Sequence, residues 1–455
     1  MADSTTQGVL FAELFNRPLT AIFDVPNASS DGGAVLLKAA DRRLGLLTRM
    51  AGALVDDRQA GKVRHALADL LGQRVYGLAL GYEDANDAAR LADDPMHKLL
   101  LGRDPITGGA LASQPTLSRF ENDVTRADLL RMSTALFETV LERHRRRRRK
   151  VRRITVDLDV TDDPTHGQQE LAFFNGFYDT WCYLPLLAFV TFDREPEQYL
   201  CAAALRPGNA PTQAGALPLL KRIVGRLQER LPQTRILVRL DGGFASPELF
   251  EFLDEVGVDY VVAIAKNEVL ERLCGLEMLV AGAMSEASGE SERIYTDCRY
   301  AAGTWSRERR VVCKAEVVRH EGREPKLNPR FVVTNLAGKA RRIYERVYCP
   351  RGDAENRIKE LFDVAFDRTS CSRFNANQFR VLLAAAAYAL LQELRLAAHG
   401  TAWARAQVAT LRLQLLKIGV QVLASVRRLV LRLPAAFPYR DGWRTIALRS
   451  GASPG

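Results

Sequence analysis

Acidic residues stand where a chain usually places apolar ones in Ile154-Thr-Val-Asp-Leu-Asp-Val-Thr161. The alternation reads as a short strand. Side chains two apart share a strand face, so Asp157 and Asp159 point the same way, with Val156, Leu158 and Val160 on the other face. Two carboxylates on one face repel each other unless a cation or positive partner sits between them. The chemistry such a pair offers is a platform for a divalent metal ion; the alternative is a solvated strand face. Two later stretches are built to complete the platform. Asp241-Gly-Gly-Phe244 ends an apolar run, and Arg346-Val-Tyr-Cys-Pro-Arg-Gly-Asp-Ala-Glu-Asn-Arg-Ile-Lys-Glu-Leu361 reads as a helix with Pro350 in its first turn. At 100° per residue, Arg351, Glu355, Lys359 and Phe362 fall on one stripe of that helix, just after Tyr348. An acid flanked by cations on its own face is either a metal ligand among phosphate clamps or a rung of a surface ion-pair ladder.

The elements that must position these residues follow from pattern. Tyr183-Leu-Pro-Leu-Leu-Ala-Phe-Val190 and Tyr199-Leu-Cys-Ala-Ala-Ala-Leu205 fit the second and third strands of an antiparallel meander that starts at Ile154. The spacing predicts an amphipathic helix over 217–231, a strand over 235–240, a helix over 247–256 and a strand over 259–265. Three antiparallel strands followed by helix, strand, helix, strand is the order of a ribonuclease H-like core. Carboxylates at the ends of its first and fourth strands would lie side by side at the sheet edge. The predicted fold class is therefore α/β: this core, interrupted by a β-rich insertion and flanked by a helical N-terminal region and a helical, basic C-terminal one. The expected boundaries are 1–142 (mostly helical, DNA-binding, after an irregular arm to about 35), 143–266 (first part of the core, with a basic linker over 143–153), 267–345 (the insertion), 346–396 (second part of the core) and 397–455.

Charge narrows the partner. The 455 residues carry a net charge of +10 and a pI near 9.3, which favours a polyanion, with nucleic acid ahead of an anionic membrane. The densest charge is Arg143-His-Arg-Arg-Arg-Arg-Arg-Lys150, followed by Arg152 and Arg153. Such a run repels itself in water and gains most beside phosphates, so Arg145, Arg146, Arg147, Arg148 and Arg149 are expected DNA contacts; a solvated linker is the alternative. Trp305 among Arg307, Arg309 and Arg310 suits base stacking, or ordinary sheet packing. Arginines and Lys417 spaced through the tail after Thr401 predict a basic helical face. No apolar run approaches the length of a membrane span, and the first residues do not read as a signal peptide. Seven scattered cysteines without a C-x-x-C pair argue against a disulfide framework or zinc knuckle and for a reducing cytosol.

Asp159-x-Thr161, Asp241-Gly-Gly-Phe244 and Tyr348-x-x-Arg351-x-x-x-Glu355, in this order, resemble the DDE transposases of bacterial insertion sequences. The last motif is similar to the group whose third element reads Y-x2-R-x3-E-x6-K. Phe174-Asn-Gly-Phe-Tyr178 and Asp367-Arg-Thr-Ser-Cys371 fit as well, and the resemblance covers roughly residues 35 to 395. It implies that Asp159, Asp241 and Glu355 form a metal-binding triad, with Asp157 as the alternative to Asp159. It further implies that Tyr348 and Arg351 hold the DNA backbone near the cleaved end. The group's lysine falls at Phe362, where a phenyl ring cannot contact phosphate; Lys359, one turn after Glu355, is the candidate substitute.

The implied activity is cut-and-paste transposition of an insertion sequence by phosphodiester hydrolysis and strand transfer through a DNA hairpin. Two Mg²⁺ ions per site, replaceable by Mn²⁺, would sit about 3.5–4 Å apart. The implied partners are double-stranded DNA, both the inverted-repeat ends and the target, and a second copy in a synaptic homodimer, in a bacterial cytoplasm and at the nucleoid. The rivals are a ribonuclease H-like nuclease without strand transfer, and an inactive or domesticated DNA-binding protein.

Overall fold

The computed structural model describes residues 8–146 and 150–454 and divides into two compact units. One unit comprises residues 44–56 and 121–389 and holds every acid of the motifs above. The other comprises residues 1–43, 57–120 and 390–455.

The first unit is built on a mixed nine-stranded sheet. Helix α1 (Arg126–Arg146) precedes strand β1 (Arg153–Val160), followed by β2 (Leu186–Phe192) and β3 (Tyr199–Ala204). Helix α2 (Ala216–Arg230) leads to β4 (Arg235–Leu240), and α3 (Pro247–Glu255) leads to β5 (Asp259–Ile264). The chain then adds β6 (Glu292–Tyr300), β7 (Arg309–Val318) and β8 (Arg330–Thr334). Their order across the sheet is β6-β7-β8-β5-β4-β1-β2-β3, with a short strand at Lys326–Leu327 beside β7. Strands β1, β4 and β5 are parallel, and β2 and β3 extend the sheet antiparallel to them. The apolar runs predict these strands well because a central strand covered on both faces is apolar on both. Ile154, Val156 and Leu158 are fully buried, and so is Asp157 on the opposite face, so the solvated strand face is not what forms.

Strands β6, β7 and β8 do not make a sheet of their own. They continue the central sheet through the β8–β5 pairing, over the core of Leu237, Val261, Val312 and Val332. The same stretch also holds two helices that the sequence reading passed over, Glu268–Leu273 and Gly275–Ser288. A Cys274–Cys313 disulfide joins the second helix to β7, a pairing not foreseen from scattered cysteines 39 residues apart.

In the other unit the expected irregular arm reaches a sheet of Ala28–Ser29, Val420–Ala424 and Leu429–Arg432. The tail is thus partly a hairpin, not helical throughout, because Val420 and Val422 alternate into a buried face. Gly33 is needed here: a Cβ would stand 1.8 Å from the Leu415 carbonyl oxygen. Asp31, fully buried, accepts hydrogen bonds from Lys417 (2.8 Å) and Tyr82 (2.9 Å) and pairs with His97 (3.0 Å).

Candidate active site

The site grows from the parallel pairing of β1 and β4. Ile154 lies opposite Ile236, and Asp157 opposite Arg239. Two residues further along come Asp159, still in β1, and Asp241, just past the end of β4, and the Asp241 charge acts on the Asp159 carboxyl. Asp241 closes β4 and caps the turn Gly242–Phe244, its Oδ1 accepting the Gly243 N–H at 2.9 Å. Gly243 leaves room for this turn, since a Cβ there would stand 2.6 Å from the Thr212 methyl and 3.3 Å from Asp241 Oδ1. The loop carrying Thr212 is pinned from inside: the buried Arg206 donates to the carbonyls of Leu184, Pro211, Thr212 and Ala214. Burial lowers the Arg206 guanidinium to about 10, and only Tyr178 among the described residues opposes it.

Asp157 and Asp159 share a face and have different neighbours. Both oxygens of Asp157 accept from Arg239, Oδ1 from Nε at 2.7 Å and Oδ2 from Nη2 at 2.6 Å, and Gln198 adds a contact at 3.3 Å. Arg239 reaches on with Nη1 to the Val347 carbonyl at 2.9 Å, one residue before Tyr348. Asp159 is only 8% exposed and faces Arg351, whose Nη1 donates to Oδ2 at 3.1 Å; Oδ1 accepts the Val160 N–H. Burial pushes the Asp159 carboxyl up, Arg351 opposes that, and the Asp241 charge adds to it. Burial works against the charged Arg351, yet Asp159, Tyr348 and Asp241 hold it above its ordinary value. Burial likewise raises Tyr348, which interacts with Arg351 and with the Asp241 charge.

The stretch carrying these residues is not one helix. Ile343–Tyr348 is π-helical, Cys349–Gly352 is a 3₁₀ turn holding Pro350, and only Asp353–Phe362 (α4) is α-helical. The change of winding turns Arg351 onto Asp159 and takes it off the stripe predicted for it. Glu355 and Lys359 remain one turn apart on the exposed side of α4. Neither makes a hydrogen bond or ion pair among the described residues. Phe362 is half-buried and packs edge-on against Phe366, with centroids 6.4 Å apart.

The structure therefore brings Asp159, Asp241, Tyr348 and Arg351 together and leaves Glu355 in solvent. Among the described residues no three acids stand close enough to hold a metal ion. The donor chemistry nonetheless suits a hard cation: two oxygen ligands converge, and their mutual repulsion is opposed by a single guanidinium. Trp305 packs edge-on against Phe250 and Tyr300 at 5.0 and 5.4 Å, with the Arg309 guanidinium 5.3 Å from its ring centroid. Arg145 and Arg146 end α1 and both pair with Glu142, at 3.0 and 3.3 Å. Arg147, Arg148 and Arg149 lie outside the described residues.

Sequence reasoning assigned nothing to Tyr178. Burial raises its phenol, as do the charges of Asp162, Asp159, Cys182 and Asp241. Its only sequence signal is its position in Phe174-Asn-Gly-Phe-Tyr178.

The family model described as "Transposase DDE domain group 1" matches residues 11–450. The chain belongs to this transposase family. Membership implies polynucleotidyl-transferase or nuclease chemistry. Among solved structures the transposase is similar to a piggyBac transposase synaptic complex with hairpin DNA, with a TM-score of 0.41 at 10% identity over 84% of this chain and 80% of that one. No curated protein matches it. No helix among the described residues is long and apolar enough to cross a membrane.

Proposed function

We propose that this transposase cuts and rejoins double-stranded DNA at the ends of an insertion sequence, excising it through a hairpin and inserting it elsewhere, from a ribonuclease H-like core. The observation that carries the reading is that Asp159 and Asp241 each lie two residues beyond the paired Asp157 and Arg239 of adjacent parallel strands, within electrostatic reach of each other, with Arg351 clamped on Asp159. The order of β1 to β5 supports the ribonuclease H-like assignment. Asp159 takes the ligand role over Asp157, because both oxygens of Asp157 are already bonded to Arg239.

In this reading Asp159, Asp241 and Glu355 would hold Mg²⁺, with Glu355 contributed by α4. When bound, the metal supplies an activated water and stabilises the leaving oxygen. The chain's own residues do the rest. Arg351, whose guanidinium lies against Asp159, would hold a phosphate oxygen through a charge-assisted bond. Tyr348 orders the same strand beside Asp241. The Asp157–Arg239 pair fixes the Val347 carbonyl and with it the turn that aims both residues. Lys359, exposed on the face of Glu355, contacts the departing strand in place of the lysine the group carries at position 362. Arg145 to Arg149 would contact DNA without reading its sequence, and two copies would act together on paired ends.

The test is a duplex carrying the element's ends, incubated with Mg²⁺ or with chelator and resolved on a denaturing gel. The proposal expects metal-dependent nicking followed by a hairpin product. Nicking with no hairpin under any condition would replace it with a nuclease lacking strand transfer. Binding with no cleavage in Mg²⁺ or Mn²⁺ would leave a DNA-binding protein.

A further inference from the structure

At the opposite end of the three parallel strands lies a groove of about 1370 Å³. Its floor is set by the first residues of β1, β4 and β5, including Arg153, Arg235 and Asp259. Seven Lys and Arg side chains line it against three carboxylates, and the carboxylates are engaged. Asp259 pairs with Arg235 at 2.8 Å. Glu195 accepts from Tyr199 at 2.7 Å and meets His144 at 3.2 Å. Asp193 Oδ1 accepts the backbone N–H groups of Arg152 and Arg153 at 2.9 and 3.0 Å. The side chains of the other six cations, Lys150, Arg152, Arg153, Arg194, Lys339 and Arg342, are exposed and have no partner among the described residues.

We propose that this groove binds the sugar-phosphate backbone of duplex DNA at a position separate from the catalytic centre. Six unpartnered cations converging from three separate stretches of chain repel one another, and a line of phosphates relieves that repulsion while releasing counterions. The groove exceeds the roughly 300–1,000 Å³ usual for small-ligand pockets, which favours an extended polyanion. It is also remote from the chemistry. From Arg153 to Asp159 the strand climbs six residues, roughly 20 Å, so a phosphate in the groove cannot be the one at Asp159 and Asp241. The groove therefore holds a second stretch of DNA, flanking or target, and fixes its path relative to the strand being cut. The inference rests on the DNA-processing reading above, but its test does not need cleavage.

The test variant is Arg194→Gln/Lys339→Gln/Arg342→Gln in the full chain, where the three exposed side chains make no hydrogen bond or ion pair among the described residues. Its control removes three exposed cations away from the groove: Arg272→Gln/Arg323→Gln/Lys326→Gln. Affinity for a random-sequence duplex is measured across a salt series. Each lost phosphate contact lowers the slope of log K against log salt by about 0.9, so the groove variant should lose roughly 2–3 units of slope and the control far less. Single-turnover cleavage at saturating DNA should keep the wild-type rate. An unchanged slope, or an equal change in the control, overturns the proposal. So does a loss of binding to phosphatidylserine vesicles while DNA affinity is retained, which would make the groove a lipid site. If the wild-type chain binds duplex but never cuts it, the catalytic reading fails while the slope still reports on the groove.

Discussion

Breaking the Asp157–Arg239 pair separates a positioning role from a metal-binding one. Arg239 is 7% exposed and Asp157 fully buried, joined by two hydrogen bonds of 2.7 and 2.6 Å. Arg239→Met leaves a buried carboxylate without its cation, and Asp157→Leu leaves a buried guanidinium without its anion. Removing one partner of such a pair costs about 3–5 kcal/mol, whereas replacing both with apolar groups of similar volume is often close to neutral. Each single variant should therefore lose a large part of a typical stability of 5–15 kcal/mol, and the Asp157→Leu/Arg239→Met double variant should recover most of it. Urea unfolding followed by circular dichroism reads this directly. The refolded double variant should still cleave poorly, because the Val347 carbonyl has lost its donor and the turn carrying Tyr348 and Arg351 is no longer held. Its metal requirement should match wild type. An Asp157→Leu single variant as stable as wild type but inactive, with a raised Mg²⁺ requirement, would refute the reasoning and make Asp157 a ligand.

Three further outcomes are expected. Burial holds the Asp163 carboxyl at about 8, so the folded protein keeps its proton while the unfolded chain loses it near 4; stability is then full below pH 4 and falls as pH rises towards 8. Asp163→Asn should be more stable than wild type at pH 8, by on the order of a few kcal/mol, with the gap closing towards pH 4, and a gap independent of pH would contradict this. Lys359→Ala should slow hairpin formation more than first nicking, whereas Phe362→Lys, which places a charge against Phe366, should lower the melting temperature without restoring it; a stable Phe362→Lys that rescues Lys359→Ala would reverse that assignment. Gly243→Ala should reduce cleavage at least tenfold, about 1.4 kcal/mol in barrier, with little loss of DNA binding, because the added methyl disturbs Asp241 and Thr212; unchanged cleavage would show that the turn tolerates it.

The strands of the central sheet were legible because burial on both faces leaves an apolar run that composition alone reveals. Which of Asp157 and Asp159 faces a cation open to exchange was not legible. Two residues of one strand face look alike until Arg239, 82 residues from Asp157, arrives on the parallel neighbour. The winding of Ile343–Gly352 was hidden for a related reason. A helical wheel assumes one period, and the π and 3₁₀ turns around Pro350 change it, carrying Arg351 to Asp159 and leaving Glu355 outside. The helix Gly275–Ser288 did have a signal in Leu276, Leu279, Val280 and Met284, but these apolar residues are exposed and the surrounding strands set the reading. In the tail, widely spaced arginines suggested a helix and masked the short alternation of Val420 to Ala424.

The central claim is that Asp159, Asp241 and Glu355, far apart in sequence, act as one metal-dependent site. The direct measurement is cleavage of end-containing DNA by Asp159→Ala, Asp241→Ala and Glu355→Ala, each beside a binding isotherm on the same duplex. The account predicts that all three bind DNA within a few-fold of wild type and that none cleaves in Mg²⁺. Near wild-type cleavage by any one of them would contradict it, and Glu355→Ala is the most exacting case because its carboxylate stands apart from the other two.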